Sequence, residues 1–399
     1  MEKMIASFEE EHPNINIEPQ HIPDAEYDTK MNTMMAGEEL PDIAYLNEGL
    51  ALPWAEEGHI LDMTPYMKEF PELGERLPQT YYYFDEGKTI GTNTAGEVIN
   101  IYYNKDLLEE EKVELPPTKG SEAWTWDEFV ETAQKLTKDS KGRNALDPEF
   151  DEKNIVQYGA DVPRSWLYWY GFLKSNGADI VNEDGTEYVM NSPEAIEVFQ
   201  NLQDLMHKYH VAPTPTESAN MPATSVKLQT KKVAMVVGGQ WNILDFSEGD
   251  LNFGIGVLPK FKEPKTIILG APTVIFSHTK HPKEAIEFYL YHNNPEKVDL
   301  FSRGLWMPLD EKYYTEAEYT DKWIDKDVHP AEYKEAVIDF THDSAVPGPA
   351  YRIRNWQEIS AAISAGLDPL WLGKEPAEAV LNELKKTVEP LLEGKYPEK

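Results

Sequence analysis

The stretch KKVAMVVGGQW, residues 231–241, carries the pattern that decides the fold of this chain. Its central run of apolar residues, rich in valine, predicts a buried strand. Gly238 and Gly239 end the run, and Trp241 follows almost at once. A bulky ring just past the end of a buried strand lies where a sheet borders a cleft in α/β proteins. We therefore expect a sheet flanked by helices, with a ligand site near the strand ends.

Helical and strand patterns alternate on both sides of this stretch, which favours an α/β fold with a largely parallel sheet. Thr125 and Glu128 predict a capping box at one helix start, and Ser192 predicts a cap at another. Further strands are predicted at residues 14–18, 40–47, 97–103, 253–259 and 268–277. Helices are predicted at the start of the chain and at residues 27–36, 124–140, 191–210, 281–293 and 376–392.

The length of the chain predicts two domains, because 399 residues are too many for one small core. Hydrophobic residues make up 41% of the chain, which supplies ample material for packed interiors. No long linker or low-complexity segment separates two halves. We therefore expect interwoven domains, with the chain crossing between them more than once.

The formal net charge of -34 makes nucleic-acid binding very unfavourable, since such a surface repels phosphate backbones. The chain has no cysteine, which excludes disulfides and thiolate chemistry. No apolar run is long enough to span a bilayer. The sequence opens directly in a helical pattern without a signal peptide, so either the protein is cytoplasmic or the sequence lacks its leader.

Aromatic residues suggest what the cleft binds. The segment SWLYWYGF, residues 165–172, has five aromatic side chains in eight positions. Other tryptophans lie beside glycine or proline, or at the ends of predicted elements. At such positions a tryptophan is as well explained by lining a cleft as by packing in a core. Such a wall suits a flat, partly apolar ligand such as a sugar ring. These tryptophans are Trp166, Trp169, Trp241, Trp306 and Trp356.

Catalytic and metal-binding motifs are weak in this sequence. There is no phosphate-binding glycine loop, no His-Glu-x-x-His and no Gly-x-Ser-x-Gly. Glu97 stands out as a carboxylate in an otherwise apolar strand. Tyrosines at 81–83, with Tyr102 and Tyr103, could hold ferric ion, but tyrosines in strands usually pack. A weak candidate for a calcium-binding loop comprises Asp139, Asn144, Asp147 and Asp151. A solvated loop is the simpler interpretation of this segment.

An ordered set of motifs resembles the bacterial extracellular solute-binding proteins of sugar ABC importers, the family that includes the maltose-binding protein. The resemblance covers nearly the whole chain. Each motif alone is loose, whereas the ordered set is specific. The motifs are FEEEHPNINIE, LPDIAYLNEGLALPWAEEGHILDMT, YYNKDLL, WTWDEFVETAQKLTKDSKG, NGADIV, NSPEAIEVFQNLQDLMHKY, LQTKKVAMVVGGQW, FGIGVLP, HPKEAIEFYLYH and GLWMPL.

The resemblance implies a periplasmic-binding-protein-like fold of type II, with two hinged α/β lobes that close on a ligand. The first lobe would comprise residues 1–96 and 262–305, without the family's first strand. The second lobe would comprise residues 98–258 and 310–399. Crossing hinge segments would lie near 97, 259–261 and 306–309.

The family's contact positions can be carried over residue by residue. On the first lobe they fall on Asn47, Glu48 and Glu97, whose polar groups would hold sugar hydroxyls. On the second lobe the aromatic platforms fall on Trp166, Trp169, Trp241 and Trp356. Gly270 and Trp306 would border the cleft. Within residues 165–172, Trp166 and with it Trp169 would face the sugar, while Leu167, Tyr170 and Phe172 would hold the helix to its lobe.

The resemblance further implies a non-enzymatic receptor without a cofactor. It would act as a monomer that binds an oligosaccharide and delivers it to the permease subunits of an ABC importer. Its place would be the cell surface of a Gram-positive bacterium, as a lipoprotein, or the periplasm, with the leader absent from this sequence.

Two alternatives remain open at this point. A glycoside hydrolase also combines tryptophans with carboxyls, and Glu48 and Glu97 could be its pair. A binding protein of the same fold could instead take ferric ion or a phosphodiester. An anionic sugar such as a uronate is also possible, because four arginines lie near the assigned cleft: Arg164, Arg303, Arg352 and Arg354.

Overall fold

A computed structural model describes residues 2–249 and 251–399, and the side chain of Asp24 is not among the parts described. The chain forms a mixed α/β structure. The strands are β1 (Ile43–Tyr45), β2 (Tyr81–Asp85), β3 (Lys88–Thr92), β4 (Glu97–Asn104), β5 (Lys138–Asp139), β6 (Ile155–Asp161), β7 (Val233–Gly239), β8 (Phe253–Gly256), β9 (Thr266–Leu269), β10 (Thr273–Ile275) and β11 (Ala345–Pro347).

Helices surround these strands, and a π-helical segment, Lys334–Asp339, leads into one of them. The helices are α1 (Glu2–Glu11), α2 (Tyr27–Ala36), α3 (Glu48–Glu56), α4 (Lys105–Glu110), α5 (Trp126–Leu136), α6 (Trp166–Ser175), α7 (Pro193–His207), α8 (Pro215–Ser218), α9 (Thr224–Gln229), α10 (Asn242–Glu248), α11 (Pro282–His292), α12 (Lys312–Thr315), α13 (Ala317–Thr320), α14 (Phe340–Ser344), α15 (Trp356–Gly366), α16 (Asp368–Trp371) and α17 (Ala377–Val388).

The main sheet has the strand order β11-β9-β4-β7-β6-β5, and β8 also pairs with β4. Only β11–β9 and β6–β7 run parallel within it, whereas β4 is antiparallel to β7, β8 and β9. The prediction of a largely parallel sheet is therefore wrong. The central strand β4 runs opposite to β7, β8 and β9. Its three pairings are therefore all antiparallel.

A second, two-stranded sheet pairs β1 with β10, which are about 230 residues apart in the chain. Residues 14–18, predicted as a strand, form no strand in the described structure. Ile15 and Ile17 are nevertheless half-buried, while Asn14, Asn16 and Glu18 are exposed. The predicted alternation of faces is thus present, but the segment has no ladder of hydrogen bonds.

Local signals predicted several helices correctly. Thr125 and Glu128 form the capping box of α5, and the Ser192 side chain accepts a hydrogen bond from the Ala195 N–H at the start of α7. Such caps satisfy backbone N–H groups that lack a partner within the helix. The buried stripe of α7 packs into the largest cluster of buried side chains, which also includes Phe129 of α5.

A smaller cluster joins Met31, Leu52 and Val274 with residues from the far end of the chain, Tyr351 and Tyr396. The C-terminal segment is therefore packed against the part of the structure built from residues 27–60. In the described ranges, no helix combines the length and the apolar character needed to cross a membrane.

Candidate functional site

The first part of the candidate site lies at the end of β1. Asn47 caps α3, because its side-chain oxygen accepts a hydrogen bond from the Gly49 N–H at 2.9 Å. This cap places Glu48 in the first helical turn, where its Oε1 accepts a hydrogen bond from the Gly270 N–H at 3.2 Å. Glu48 and Gly270 are thus joined directly across 222 residues of chain. Asn47 is exposed beside them.

Glu97 lies on the same wall. It begins β4 and pairs with Leu269, the residue before Gly270. Gly270 has a φ of +144°, and a Cβ atom there would lie 2.5 Å from the carbonyl oxygen of Ala95. Both constraints require glycine at this position. The structure therefore brings together Glu48, Glu97 and Gly270, three of the residues predicted for the site.

Both carboxyls of this wall have raised pKa values. Burial raises the pKa of Glu48 to about 7, and the hydrogen bond from the Gly270 N–H opposes this shift only in part. Burial raises the pKa of Glu97 to about 8, and the negative charge of Glu48 raises it further. Near neutral pH Glu97 is therefore mostly protonated and Glu48 partly so, and together they can both donate hydrogen bonds to hydroxyl groups and accept them.

Two stacked tyrosines support this wall; the sequence analysis named Tyr82 only as a candidate ferric ligand and did not single out Tyr351. The rings of Tyr82 and Tyr351 stack at 4.4 Å between centroids. The Tyr82 hydroxyl donates to the Gly270 carbonyl at 2.9 Å, and the Tyr351 hydroxyl donates to Asn93 Oδ1 at 2.6 Å. Burial raises the pKa of both hydroxyls, which therefore stay protonated.

The aromatic side of the site begins at α6. Trp166 is the first residue of this helix and is half-buried. Its ring meets the edge of Trp356, the first residue of α15, at 5.5 Å and an interplanar angle of 88°. A Cβ atom on Gly348 would lie 3.2 Å from the Trp166 ring and 3.7 Å from that of Tyr351. Gly348 therefore links the tryptophan pair to the wall that carries the carboxyls.

Tyr168 lies near Glu97, and the sequence did not assign it to the site. Burial raises its pKa, and the charges of Asp161 and Glu97 raise it further, so its hydroxyl lies within electrostatic reach of Glu97. Tyr168 is half-buried on the first turns of α6. Its place between Trp166 and Trp169 in the sequence was the available signal.

Trp169 differs from Trp166 in its surroundings. Its side chain is 1% exposed, and its Nε1–H donates to the Arg164 carbonyl at 3.2 Å. Its ring also meets Phe199 of α7 at 5.1 Å. These contacts attach α6 to its core, and they leave little of the Trp169 ring for a ligand in this arrangement.

Trp241 lies close to the start of β4. A Cβ atom on Gly239 would lie 2.1 Å from the Trp241 ring, so the ring covers this glycine. Gly239 pairs with Ile99, two residues after Glu97, and the Gln240 N–H donates to the Val98 carbonyl. Glycine at 239 therefore allows a half-buried tryptophan to lie over the end of β7 near the carboxyl wall.

Trp306 has different neighbours. Its ring meets His292 at 5.3 Å and Phe301 at 5.6 Å. The adjacent Met307 exchanges backbone hydrogen bonds with Gly96, which places this segment beside the start of β4. Trp306 thus packs beside α11, whereas Trp166 and Trp356 pack against each other.

Arg354 forms a clasp between distant parts of the chain. Its guanidinium contacts Glu56 Oε1 at 2.5 Å and lies 4.2 Å over the ring of Tyr396. The Tyr396 hydroxyl donates to the other oxygen of Glu56 at 3.0 Å. The clasp, Glu56–Arg354–Tyr396, therefore ties α3 to the C-terminal segment. The Arg354 guanidinium is therefore already bound by protein groups, the Glu56 carboxylate and the ring of Tyr396.

We predict that Arg354→Met loosens this clasp. The loss of one charge-assisted hydrogen bond and its cation–π contact should cost about 1 kcal/mol, because the pair is only partly exposed. Thermal melting in low salt should show this loss of stability. High salt should reduce the difference in melting temperature between the variant and wild type. Arg303→Met is the matched control, since Arg303 contacts Glu248 in an exposed pair. Equal effects of the two changes would contradict this role for Arg354.

The calcium-loop candidate has other partners for its oxygens. The Asp139 carboxylate accepts hydrogen bonds from the N–H groups of Lys141, Arg143 and Asp151 and from the Arg143 guanidinium. Burial would raise the pKa of Asp139, but these donors lower it well below its usual range.

The other three oxygen donors, Asn144, Asp147 and Asp151, each accept a hydrogen bond from the N–H two residues ahead. Within residues 2–249 and 251–399, no group of three or more acidic or histidine side chains is arranged to hold a metal. The loop is thus held by Arg143 and by its own turns.

The described chain is a mixed α/β protein in which a carboxyl wall around Gly270 adjoins a tryptophan pair, Trp166 and Trp356, through Gly348 and Tyr351. The model of the family described as bacterial extracellular solute-binding protein matches residues 1–298, more than half of the chain. The chain belongs to this family.

Individual relatives agree with this assignment. The multiple sugar-binding protein of Streptococcus mutans is 24% identical over 307 residues, covering 73% of this chain and 67% of the relative. The maltodextrin-binding protein MdxE of Bacillus subtilis is 24% identical over 255 residues, covering 62% and 55%. An ABC substrate-binding protein of Listeria monocytogenes, solved in complex with cycloalternan, superimposes with a TM-score of 0.81 at 24% identity, covering 98% and 95%. The last similarity confirms the predicted two-lobed fold.

Proposed function

We propose that this protein is the sugar receptor of an ABC importer. It binds an oligosaccharide between its lobes and delivers it to the permease subunits without chemical change. The observation that carries the proposal is the convergence of the Glu48–Glu97 pair with Trp166 and Trp356 through Gly348 and Tyr351. Relatives named for maltodextrin and multiple sugars support the same ligand class.

The two sets of side chains bind different parts of a sugar because their chemistry differs. Glu48 and Glu97 exchange hydrogen bonds with sugar hydroxyls, and Trp166, Trp241 and Trp356 offer apolar ring faces and edges to the C–H side of the sugar. We propose lobes of residues 1–96 with 262–305 and 98–258 with 310–399. Closure is favoured by contacts that the ligand makes with both lobes at once.

The family and the relatives also suggest where the receptor works. We propose that it acts outside the cytoplasmic membrane, as a monomer held at the cell surface by a lipid anchor or free in the periplasm. No cofactor is required for this role, since binding and release involve no covalent step.

A glycoside hydrolase is the second candidate, because the raised pKa of Glu97 would suit a general acid. A hydrolase needs its two carboxyls on opposite sides of the scissile bond, roughly 5–10 Å apart. Glu48 and Glu97 both belong to the wall around Gly270, which favours the receptor. Incubation with maltohexaose followed by chromatography decides between them, because any shorter product would establish catalysis.

We predict that Trp166→Ala weakens oligosaccharide binding by about 5- to 30-fold, the equivalent of about 1–2 kcal/mol for one lost stacking surface. Titration calorimetry with maltotriose and maltohexaose measures the change. Trp166→Phe is the matched control, because it keeps an aromatic face and should retain most of the affinity. An unchanged affinity for every sugar that wild type binds would remove Trp166 from the site.

A further inference from the structure

One pocket lies apart from the carboxyls and tryptophans assigned to the sugar. It encloses about 470 Å³ between α6, β11 with the segment after it, and the C-terminal segment, together with Pro78 and Gln79. These two residues belong to the first proposed lobe, and the other lining residues belong to the second. Among the residues that the structure describes, neither Glu48, Glu97 or Gly270 nor any tryptophan lines this pocket. The sugar contacts therefore do not explain it.

Basic side chains give this pocket a positive lining, which contrasts with the formal net charge of -34 of the whole chain. Three cations line it, Lys174, Arg352 and Lys395, and two carboxylates, Asp179 and Glu398. A local excess of positive charge attracts anions even where the rest of the surface repels them. The lining therefore favours an anionic ligand.

The charges of Asp179 and Lys174 are already paired within the protein. The oxygens of Asp179 accept hydrogen bonds from the Lys174 ammonium at 2.9 Å, from the Tyr170 hydroxyl at 2.9 Å and from the Ile180 N–H at 2.8 Å. Three donors thus satisfy this carboxylate, and its charge is offset by that of Lys174. The attraction for an anion therefore comes from the two remaining cations of the pocket.

Arg352 has no carboxylate partner among the described residues. Its Nη1 donates to the backbone carbonyls of Tyr351 at 3.3 Å and Pro397 at 3.4 Å, while Nε and Nη2 form no hydrogen bond in residues 2–249 and 251–399. Burial lowers the pKa of Arg352, and the negative charge of Glu398 opposes this shift only in part. A half-buried guanidinium with unused N–H groups is costly unless an anion pairs with it.

The rest of the lining indicates an organic anion. Val346, Pro347 and Ile353 place apolar groups beside the cations, so a carbon skeleton can pack there. A guanidinium binds a carboxylate or a phosphate group through two parallel hydrogen bonds. The volume of the pocket falls within the range of about 300–1,000 Å³ that is usual for small-molecule sites.

We propose that this pocket binds a small organic polyanion, whose carboxylate or phosphate groups are held by Arg352 and Lys395. This anion is a separate ligand from the sugar. The inference therefore goes beyond the proposed function and does not depend on it. Because residues of both proposed lobes line the pocket, the bound anion lies where the two lobes meet.

Calorimetric titration of the intact protein with citrate, succinate and inorganic phosphate tests the site. All titrations are made at one ionic strength, because added salt screens the net charge of the chain without any specific site. Arg352→Gln removes the guanidinium from the pocket. Arg303→Gln is the matched control, since Arg303 is exposed, pairs with Glu248 and does not line this pocket. Thermal melting checks that both variants are folded.

We expect saturable binding of citrate that is tighter than binding of inorganic phosphate, which has no carbon skeleton. Arg352→Gln should weaken citrate binding about 10- to 100-fold, because it removes charge-assisted hydrogen bonds, while Arg303→Gln should bind as wild type. Saturable binding of none of the three probes, or an equal loss in both variants, would overturn the site and leave the sugar proposal standing. Should Arg352→Gln fail to fold, Lys395→Gln tests the same site, with an expected loss of about 2- to 5-fold.

Discussion

Gly270→Ala is expected to destabilise the protein by more than about 4 kcal/mol and to abolish tight sugar binding. The φ of +144° at this residue is strained for any side chain, and the new Cβ atom would lie 2.5 Å from the Ala95 carbonyl oxygen. The clash is with backbone, so no side chain can rotate away to relieve it. Thermal melting measures the loss of stability, and calorimetry with maltohexaose measures the loss of binding.

Two functional contacts depend on the same residue. The Gly270 N–H donates to Glu48, and its carbonyl accepts from Tyr82. A shift of this backbone therefore moves the carboxyl wall as well as the strand. Gly87→Ala is the matched control, because Gly87 has a φ of +68° and no atom within 4 Å of a Cβ placed there. The control should cost about 1 kcal/mol from backbone strain alone. A Gly270→Ala protein as stable as the control would refute the clash.

Glu97→Gln is expected to weaken the loss of stability that the wild-type protein shows as the pH rises into the alkaline range. The pKa of Glu97 is raised to about 8 in the folded protein, whereas an unfolded glutamate titrates near 4.5. The folded state therefore holds a proton that the unfolded state releases. The stability due to this group is fully present below pH 4.5 and is lost as the pH rises through 8. Glu48, with a pKa of about 7, contributes in the same direction.

Wild type should thus melt at progressively lower temperature between pH 5 and pH 9, and Glu97→Gln should be the more stable protein at pH 9 by about 2 kcal/mol. Melting scans of both proteins across this range measure the effect. Glu10→Gln, at an exposed position of α1, controls for the general loss of one negative charge. Parallel curves for Glu97→Gln and wild type would show that Glu97 titrates normally.

The same substitution should weaken sugar binding. At pH 9, where Glu97 is ionised, an amide cannot replace the carboxylate as a charged acceptor, and hydrogen bonds to charged groups contribute about 1.5–3 kcal/mol. We therefore expect the affinity for any oligosaccharide that binds to fall by about 10- to 100-fold. Stability and binding then change in opposite directions at alkaline pH, which a general structural defect would not produce.

Features encoded in short stretches could be predicted from the sequence. The capping box of α5 depends on residues three positions apart, and the buried run of β7 appears as a continuous apolar pattern. Glu48, Glu97 and Trp166 were reached through motif resemblance together with their places at element ends. Each of these signals lies within a few residues of the feature that it predicts.

Features that depend on long-range contact could not be predicted. Tyr351 reaches Asn93 across 258 residues, and Arg354 reaches Glu56 across 298. No periodic pattern of residues in the sequence indicates such a pairing. The antiparallel pairing of β4 in the main sheet could not be predicted either. The sequence of a strand does not indicate the direction of the strands beside it. Arg354, predicted at the site, therefore lies in a clasp that only the folded chain reveals.

The most direct test of the receptor proposal is a titration of the intact protein with malto-, cello- and xylo-oligosaccharides, followed by tryptophan fluorescence and thermal melting. Ligand binding to the folded state raises the melting temperature as ligand concentration rises. The account predicts a saturable fluorescence change and a rising melting temperature with at least one series, and recovery of the sugar uncut after prolonged incubation. A cooperatively melting protein that responds to none of them, or one that releases shorter sugars, would contradict it.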